Sequence, residues 1–169
     1  MDYEFLGVIS DTHNDCAKLE KAIKTFRDYE VTRVLHCGDV TFPSTLAYLR
    51  GYQVDLVLGN RDLRCADELR DACKELGFTF WGPNGHIEWR GHKIFFTHGD
   101  PDKESLENAK YSGEWDLVCY GHSHCYDRQR YENTLILNPG SVMCGSMCLV
   151  AADLSEVVHI NLSDYGCFF

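Results

Sequence analysis

Apolar and polar positions along this chain fall into two regimes. In the first half, short apolar runs alternate with segments of helical period. "EFLGVIS" (4–10), "RVLHCGD" (33–39) and "VDLVLGN" (54–60) read as short buried strands. Between the first two, "NDCAKLEKAIKTFRDYE" (14–30) places Leu19, Ile23 and Phe26 on one helical face, with Asn14 or Asp15 as N-cap. "STLAYLRG" (44–51) reads as a short helix ended by Gly51. "CADELRDACKELG" (65–77) reads as a helix with Leu69, Cys73 and Leu76 on its face and Gly77 as C-cap. The pattern then changes. "HIEWRGHKIFFTHGD" (86–100) reads as a hairpin turning at Arg90–Gly91, and "KESLENAKYSG" (103–113) as a helix. "DLVCYGHSH", "YDRQRY", "TLILNPGS", "CLVAADL" and "VVHINL" follow as successive strands. A βαβαβα half followed by a mostly β half predicts an α/β or α+β sandwich with helices outside the sheets.

Length and composition narrow the class. The 169 residues fit one domain, 1–169, able to bury a core without disulfide staples. No run reaches the ~18 apolar residues of a membrane span. The opening "MDYEFLGVIS" lacks the basic start, long apolar core and cleavage site of a signal peptide, so a cytoplasmic location is expected. The 9 cysteines are scattered and mostly sit in apolar runs, as at Cys37, Cys73 and Cys119, where they read as small buried hydrophobes. "MCGSMC" (143–148) could suggest a thiolate metal site, but no second close pair completes four ligands. The formal charge is −10, and no basic patch stands out, which disfavours duplex nucleic acid as a partner. A small phosphate ester stays open, because bound divalent ions reverse the local field of a site.

Polar residues recur at one kind of place. Asp11 and His13 follow the first strand, Asp39 the second, Asn60 and Asp62 the third, His98 and Asp100 the hairpin, and His122 and His124 the run "DLVCY". Sites in open α/β sheets form beyond the carboxyl ends of strands, so these positions converge on one region. Carboxylate, imidazole and one amide suit Mn²⁺, Fe²⁺, Ni²⁺ or Zn²⁺ and differ from an all-oxygen calcium cage. Asp11, His13, Asp39, Asn60, His98, His122 and His124 are too many for one ion that keeps an open position. Two ions about 3.5–4 Å apart, bridged by one carboxylate, use all seven and can hold a hydroxide and clamp a phosphoryl group.

With those motifs in view, the chain resembles the calcineurin-like metallophosphoesterases, and most closely the small bacterial and archaeal YfcE-type phosphodiesterases. The family order D-x-H, G-D, G-N, lone H and G-H-x-H reads here as "DTH", "GD", "GNRD", "THGD" and "GHSH", and "NPGS" at 138–141 also matches that subfamily. The resemblance implies a metallophosphatase fold: two mixed β-sheets packed as a sandwich and flanked by α-helices. It implies Asp11, His13, Asp39 and His124 around a first ion, with Asp39, Asn60, His98 and His122 around a second and Asp39 bridging. Mn²⁺ is the first expectation, with Ni²⁺, Fe²⁺, Zn²⁺ or Mg²⁺ as alternatives. The implied reaction is hydrolysis of a small or nucleotide-like phosphodiester by a metal-bridging hydroxide, with Asp39, Asn60 and Arg61 as catalytic residues. Relatives also suggest a homodimer or homotetramer.

One position departs from the pattern. Many relatives carry a histidine directly after the metal-binding asparagine, whereas this chain has Arg61. A guanidinium clamps phosphate but donates no proton at neutral pH, so charge stabilisation replaces general acid catalysis. Of the remaining candidates, Asp62 and Asp100 read either as orienting groups behind the ligands or as turn formers. His36 reads as a core or hydrogen-bonding residue, His86 and His92 as exposed hairpin residues, and His159 as lying on a solvated strand face. Tyr120, Tyr126 and Phe42 could line a substrate wall, with aromatic packing as the plainer reading. A non-catalytic interaction scaffold on the same fold, like the retromer subunit that shares it, is the rival function. A nuclease or protein phosphatase of the superfamily is a third, opposed by the short chain and its charge.

Overall fold

A computed structural model of the chain describes residues 4–163, so Cys167 lies outside the described residues. The first sheet has the order β11-β10-β1-β2-β3-β4, formed by β1 (Phe5–Ile9), β2 (Arg33–His36), β3 (Gln53–Leu56), β4 (Thr79–Phe80), β10 (Ser146–Ala151) and β11 (Val157–Asn161). The second has the order β5-β6-β7-β9-β8, formed by β5 (Asn84–Trp89), β6 (His92–Thr97), β7 (Leu117–Cys119), β8 (Tyr126–Tyr131) and β9 (Thr134–Pro139). β1 through β4 run parallel, and so do β6, β7 and β9; hairpins add antiparallel edges to both sheets. These are the two mixed sheets expected from the sequence.

The alternation along β1 explains why its sequence is apolar throughout. Leu6 and Val8 pack into a core shared with Ile94, Phe96, Leu117, Leu135 and Leu137 of the second sheet. Phe5 and Ile9 face the other way, into a core with Leu19, Ile23 and Phe26 of α1 (Cys16–Asp28) and Leu69 and Cys73 of α2 (Ala66–Leu76). A strand buried on both faces has no position for a polar residue. On the outer face of the second sheet, Leu106 and Ala109 of α3 (Lys103–Tyr111) cover Val118. The layers therefore run helix, sheet, sheet, helix.

Local signals act where the sequence places them. Asp15 caps α1, its carboxylate accepting the Lys18 N–H at 3.0 Å. Past α2, the Gly77 N–H reaches the carbonyls of Cys73 and Lys74. The β5–β6 hairpin turns at Arg90 and Gly91, with φ of 51° and 81°, as a tight two-residue turn demands. Two details differ from expectation. Residues Pro43–Leu49 form a 3₁₀ helix, since "PSTLAYL" has β-branched Thr45 and only two turns in which to nucleate. The two-residue β4 went unread because its pairing with β3, not its own sequence, makes it a strand.

One close approach fixes how α1 sits. A Cβ on Gly7 would lie 2.6 Å from Phe26 Cε1, so the fully buried Phe26 ring occupies space that only a glycine leaves on β1. Phe26→Ala empties that space. It is expected to lower the unfolding free energy by about 3–5 kcal/mol, measured by denaturant titration.

Candidate metal centre

The carboxyl ends of β1, β2, β3, β6 and β7 open onto one edge of the sandwich, and backbone hydrogen bonds tie their loops together. The Asp11 N–H donates to the Gly38 carbonyl at 2.9 Å, His13 to Asp39 at 3.1 Å and Gly121 to His98 at 3.2 Å. From the far end of β9, Val142 and Met143 donate to the carbonyls of Ser10 and Asp11 at 3.0 and 3.2 Å. Five of the seven residues singled out, Asp11, His13, Asp39, His122 and His124, hold φ between 42° and 70°. Side chains other than glycine rarely adopt that left-handed region, and such strain gathers at functional sites.

The seven converge. Asp11 Oδ1 lies 3.1 Å from His124 Nε2, 3.5 Å from His13 Nε2 and 3.9 Å from His98 Nε2. Asp39 Oδ2 lies 3.5 Å from His13 Nε2 and 3.4 Å from His98 Nε2. His13 and His124 face each other with their Nε2 atoms 3.3 Å apart. Asn60 Oδ1 stands 3.0 Å from His98 Nε2, and the His122 ring lies 5.2 Å from that of His98. Two groups, Asp11–His13–His124 and Asp11–Asp39–His98, each bring three donor atoms within 4.8 Å of one another. Asp11 is common to both groups. Asp39 was expected as the bridge, and its Oδ2 also reaches imidazoles of both.

The donor set fits metal ions. Asp11 Oδ1 is buried and accepts no hydrogen bond. A carboxylate oxygen left bare in the interior is costly unless a cation faces it. The Cys37 carbonyl lies 2.7 Å from His98 Nδ1 and accepts a hydrogen bond from it, so in the neutral ring Nε2 turns its lone pair toward Asn60 Oδ1, a clash that a proton or a metal ion at Nε2 relieves. Two acceptors facing each other ask for a positive charge between them. Burial alone would pull His98 down, yet its hydrogen bond to Asp39 and the charges of Asp11 and Asp39 raise it above the ordinary imidazole range. Burial likewise pushes the Asp39 carboxyl up, but the His98 hydrogen bond and charge, the Arg61 N–H and His13 outweigh it and keep Asp39 below its usual value. The local field favours a cation.

Buried polar groups hold this arrangement. Asp62 is fully buried, and its carboxylate accepts the backbone N–H groups of Asp39 at 2.8 Å, Thr41 at 2.8 Å and Gly59 at 3.0 Å. It therefore orients the backbone of the Asp39 loop. Burial raises its pKa, and those N–H donors oppose the rise only in part. Asp39 Oδ1 accepts the Arg61 N–H at 2.8 Å, which leaves Oδ2 for the centre. Thr41 Oγ1 holds His13 Nδ1 at 3.2 Å. Asp11 Oδ2 is engaged by Ser10 Oγ at 2.5 Å and the His122 N–H at 3.1 Å. Asn138 donates to the Gly121 carbonyl and to Ser123 Oγ, both at 3.0 Å, and Ser141 Oγ donates to the Asp11 carbonyl at 2.8 Å. Ser10, Thr41, Asn138 and Ser141 were not read as functional; "NPGS" was the one signal for the last two.

The remaining residues stand outside the donor set. Asp100 stands at the turn into α3, and among the described residues no polar contact joins it to the seven. Tyr120, Tyr126 and Phe42 do not line the main cleft: Tyr120 donates to Asp127 at 2.7 Å, Tyr126 stacks on His159 at 3.9 Å, and Phe42 faces solvent. Cys144 and Cys148 form no ligand pair. Cys148 is buried between the sheets, where its thiol is pushed up to about 12, while Cys144 Sγ lies 3.8 Å from His124 Nδ1. His36 is buried and neutral, pulled down to about 3 by burial, and its Nε2–H donates to Thr12 Oγ1 at 3.1 Å.

Over the donors lies an open cleft of about 800 Å³ whose lining includes His13, Asp39, Asn60, His122 and His124 together with Arg61 and Arg64. A family model, the calcineurin-like phosphoesterase superfamily domain, matches residues 5–153. The chain belongs to that superfamily. It is 32% identical over 144 residues to phosphodiesterase MJ0936 of Methanocaldococcus jannaschii, a match covering 83% of this chain and 84% of that protein. The solved structure of an archaeal phosphodiesterase is similar with a TM-score of 0.84 and 28% identity, over 93% of this chain and 99% of that one. The phosphoesterase YfcE of E. coli (TM-score 0.64, 94% and 99% covered) and Vps29 of Chaetomium thermophilum (TM-score 0.61, 86% and 80% covered) are each 18% identical and share the fold. The calcineurin-like family that the motifs resemble is thus the one the chain belongs to.

A Cβ on Gly121 would lie 2.0 Å from Ser10 Oγ and 2.8 Å from Asp11 Oδ2. Gly121→Ala must therefore displace Asp11. Its Mn²⁺ affinity, measured by equilibrium dialysis and metal analysis, is expected to fall by about tenfold or more.

Proposed function

We propose that this protein hydrolyses phosphodiesters with a pair of divalent ions, Mn²⁺ being the first choice. The observation that carries the reading is the bare, buried Asp11 Oδ1 facing three imidazole nitrogens beside a second buried carboxylate. Asp11, His13, Asp39 and His124 would hold one ion, and Asp39, Asn60, His98 and His122 the other. When bound, the ions supply Lewis acidity toward the phosphoryl oxygens and water acidified to a pKa of ~7. The name of the Methanocaldococcus relative, a phosphodiesterase, supports the substrate class.

The chain's own residues do the rest. Asp62 and Thr41 fix Asp39 and His13, so the donors need not reorganise as charge develops. Arg61 lines the cleft directly after Asn60 and offers a planar fork of donors to a phosphoryl group. No proton comes from it, so the leaving group departs with its charge or takes a proton from solvent. Aryl esters, whose phenols have pKa values of ~7–10, suit such a site better than alkyl esters. The likeness to Vps29 motivates a protein-interaction reading of the same fold, but each of the seven donor positions carries a competent metal ligand.

Asp39→Asn removes the carboxylate shared by both proposed ion sites. With Mn²⁺ and bis(p-nitrophenyl) phosphate, kcat/KM is expected to drop by about a hundredfold or more; unchanged turnover would overturn the proposal. Arg61→Ala is expected to cost about 10²–10³ in kcat, with Arg61→Lys recovering part of it. Across a series of aryl esters, the wild-type rate is expected to fall steeply as the leaving phenol becomes more basic.

A further inference from the structure

Arg64 also lines the cleft, and the activity proposed above gives it no role. It sits on a 3₁₀ turn, Asp62–Cys65, that Arg61 precedes as N-cap. Three residues per turn bring positions 61 and 64 onto one side, about 6 Å apart along the axis. Both arginines are exposed, and neither makes an ion pair among the described residues. The acids nearest in sequence are engaged elsewhere: Asp62 is buried under backbone N–H groups, and Asp67 pairs with Arg70 at 2.6 Å. Asp39 is the one carboxylate lining the cleft, and it faces the imidazoles of the centre.

In a chain of formal charge −10, two guanidinium groups without ion-pair partners among the described residues in the lining of one cleft are a local reversal of sign. A simple phosphodiester carries a single negative charge, and Arg61 beside Asn60 suffices for it. Arg64 follows Arg61 by one 3₁₀ turn and offers a second fork. Resting on the phosphodiesterase reading, we propose that the natural substrate is a phosphodiester bearing a second phosphoryl group, which Arg64 binds while Arg61 holds the reacting one. Arg64 is then a specificity-determining residue that acts on binding, and the cleft selects substrates by charge as well as by ester chemistry.

The test compares two probes, the p-nitrophenyl ester of thymidine 5′-phosphate and the same ester carrying a 3′-phosphate, with the full chain and Mn²⁺. Wild type is expected to favour the phosphorylated ester by about tenfold in kcat/KM, mainly through KM, a typical effect of one charged hydrogen-bonding group. In Arg64→Gln that preference is expected to shrink to about twofold or less, with Arg64→Lys in between. Equal kcat/KM for the two esters in wild type, or a preference that survives Arg64→Gln, overturns the inference and leaves the phosphodiesterase reading standing. Loss of turnover of both esters by wild type overturns that reading instead. Calorimetric titration of the metal-free protein then decides on Arg64 without turnover. Thymidine 3′,5′-bisphosphate should bind at least about fivefold more tightly than thymidine 5′-monophosphate, and Arg64→Gln should abolish the difference.

Discussion

The whole arrangement turns on one buried charge. Asp11 is fully buried at the end of β1, and of its two oxygens one is satisfied by Ser10 and the His122 N–H while the other has no donor. Left alone, such a group is among the most costly features a core can contain. It is tolerable here because the loops of four other strands bring imidazoles and a cation-favouring field to the bare oxygen. The sandwich can be understood as the scaffold that makes this possible. Two parallel strand sets, one in each sheet, end at the same edge, so residues from five separate loops between positions 11 and 124 meet at one place.

Holding the donors there has its own cost, and the backbone carries it. Five of the seven residues sit at positive φ, each costing of order 1–3 kcal/mol relative to relaxed backbone. The compensation lies in two apolar layers, one between the sheets and one under α1 and α2, and in the carboxylate of Asp62. Asp62 satisfies three N–H groups, those of Asp39 and Thr41 in the strained Asp39 loop and that of Gly59 in the loop after β3. It also explains why that loop does not relax: its backbone donors are bound to a group that is itself fully buried.

Much of this is legible in the sequence because strands buried on both faces are apolar to their last residue. A polar residue placed right after such a run, as at Asp11, Asp39 or His98, marks a strand end, and strand ends are where sites form. The supporting residues are not legible in the same way. Ser10 is an ordinary polar residue beside its partner Asp11, while Thr41, Asn138 and Ser141 take their meaning from partners far away, Asn138 and Ser141 reaching loops 17 and 130 residues distant. Sheet order was also hidden: β10 and β11 return to pair beside β1, and no local pattern in "CLVAADL" says which sheet it joins. Tyr126, next to "GHSH", follows the plainer reading of an aromatic and packs, stacking on His159.

Arg61 shows how the same logic extends from position to chemistry. Its backbone N–H is part of the centre, fixing Asp39 Oδ1, while its side chain belongs to the cleft. A residue at this position thus has one duty that any amino acid but proline can perform and another that depends wholly on the side chain. The metal-holding geometry can stay constant while the group presented to the substrate changes from a proton donor to a fixed positive charge. On the proposed phosphodiesterase reading, a guanidinium there would lower the barrier by electrostatic stabilisation of the phosphoryl oxygens, and the leaving group's own basicity would set how much is still missing. One cage of seven donors would then serve esters of different leaving-group chemistry through a change at a single neighbouring side chain.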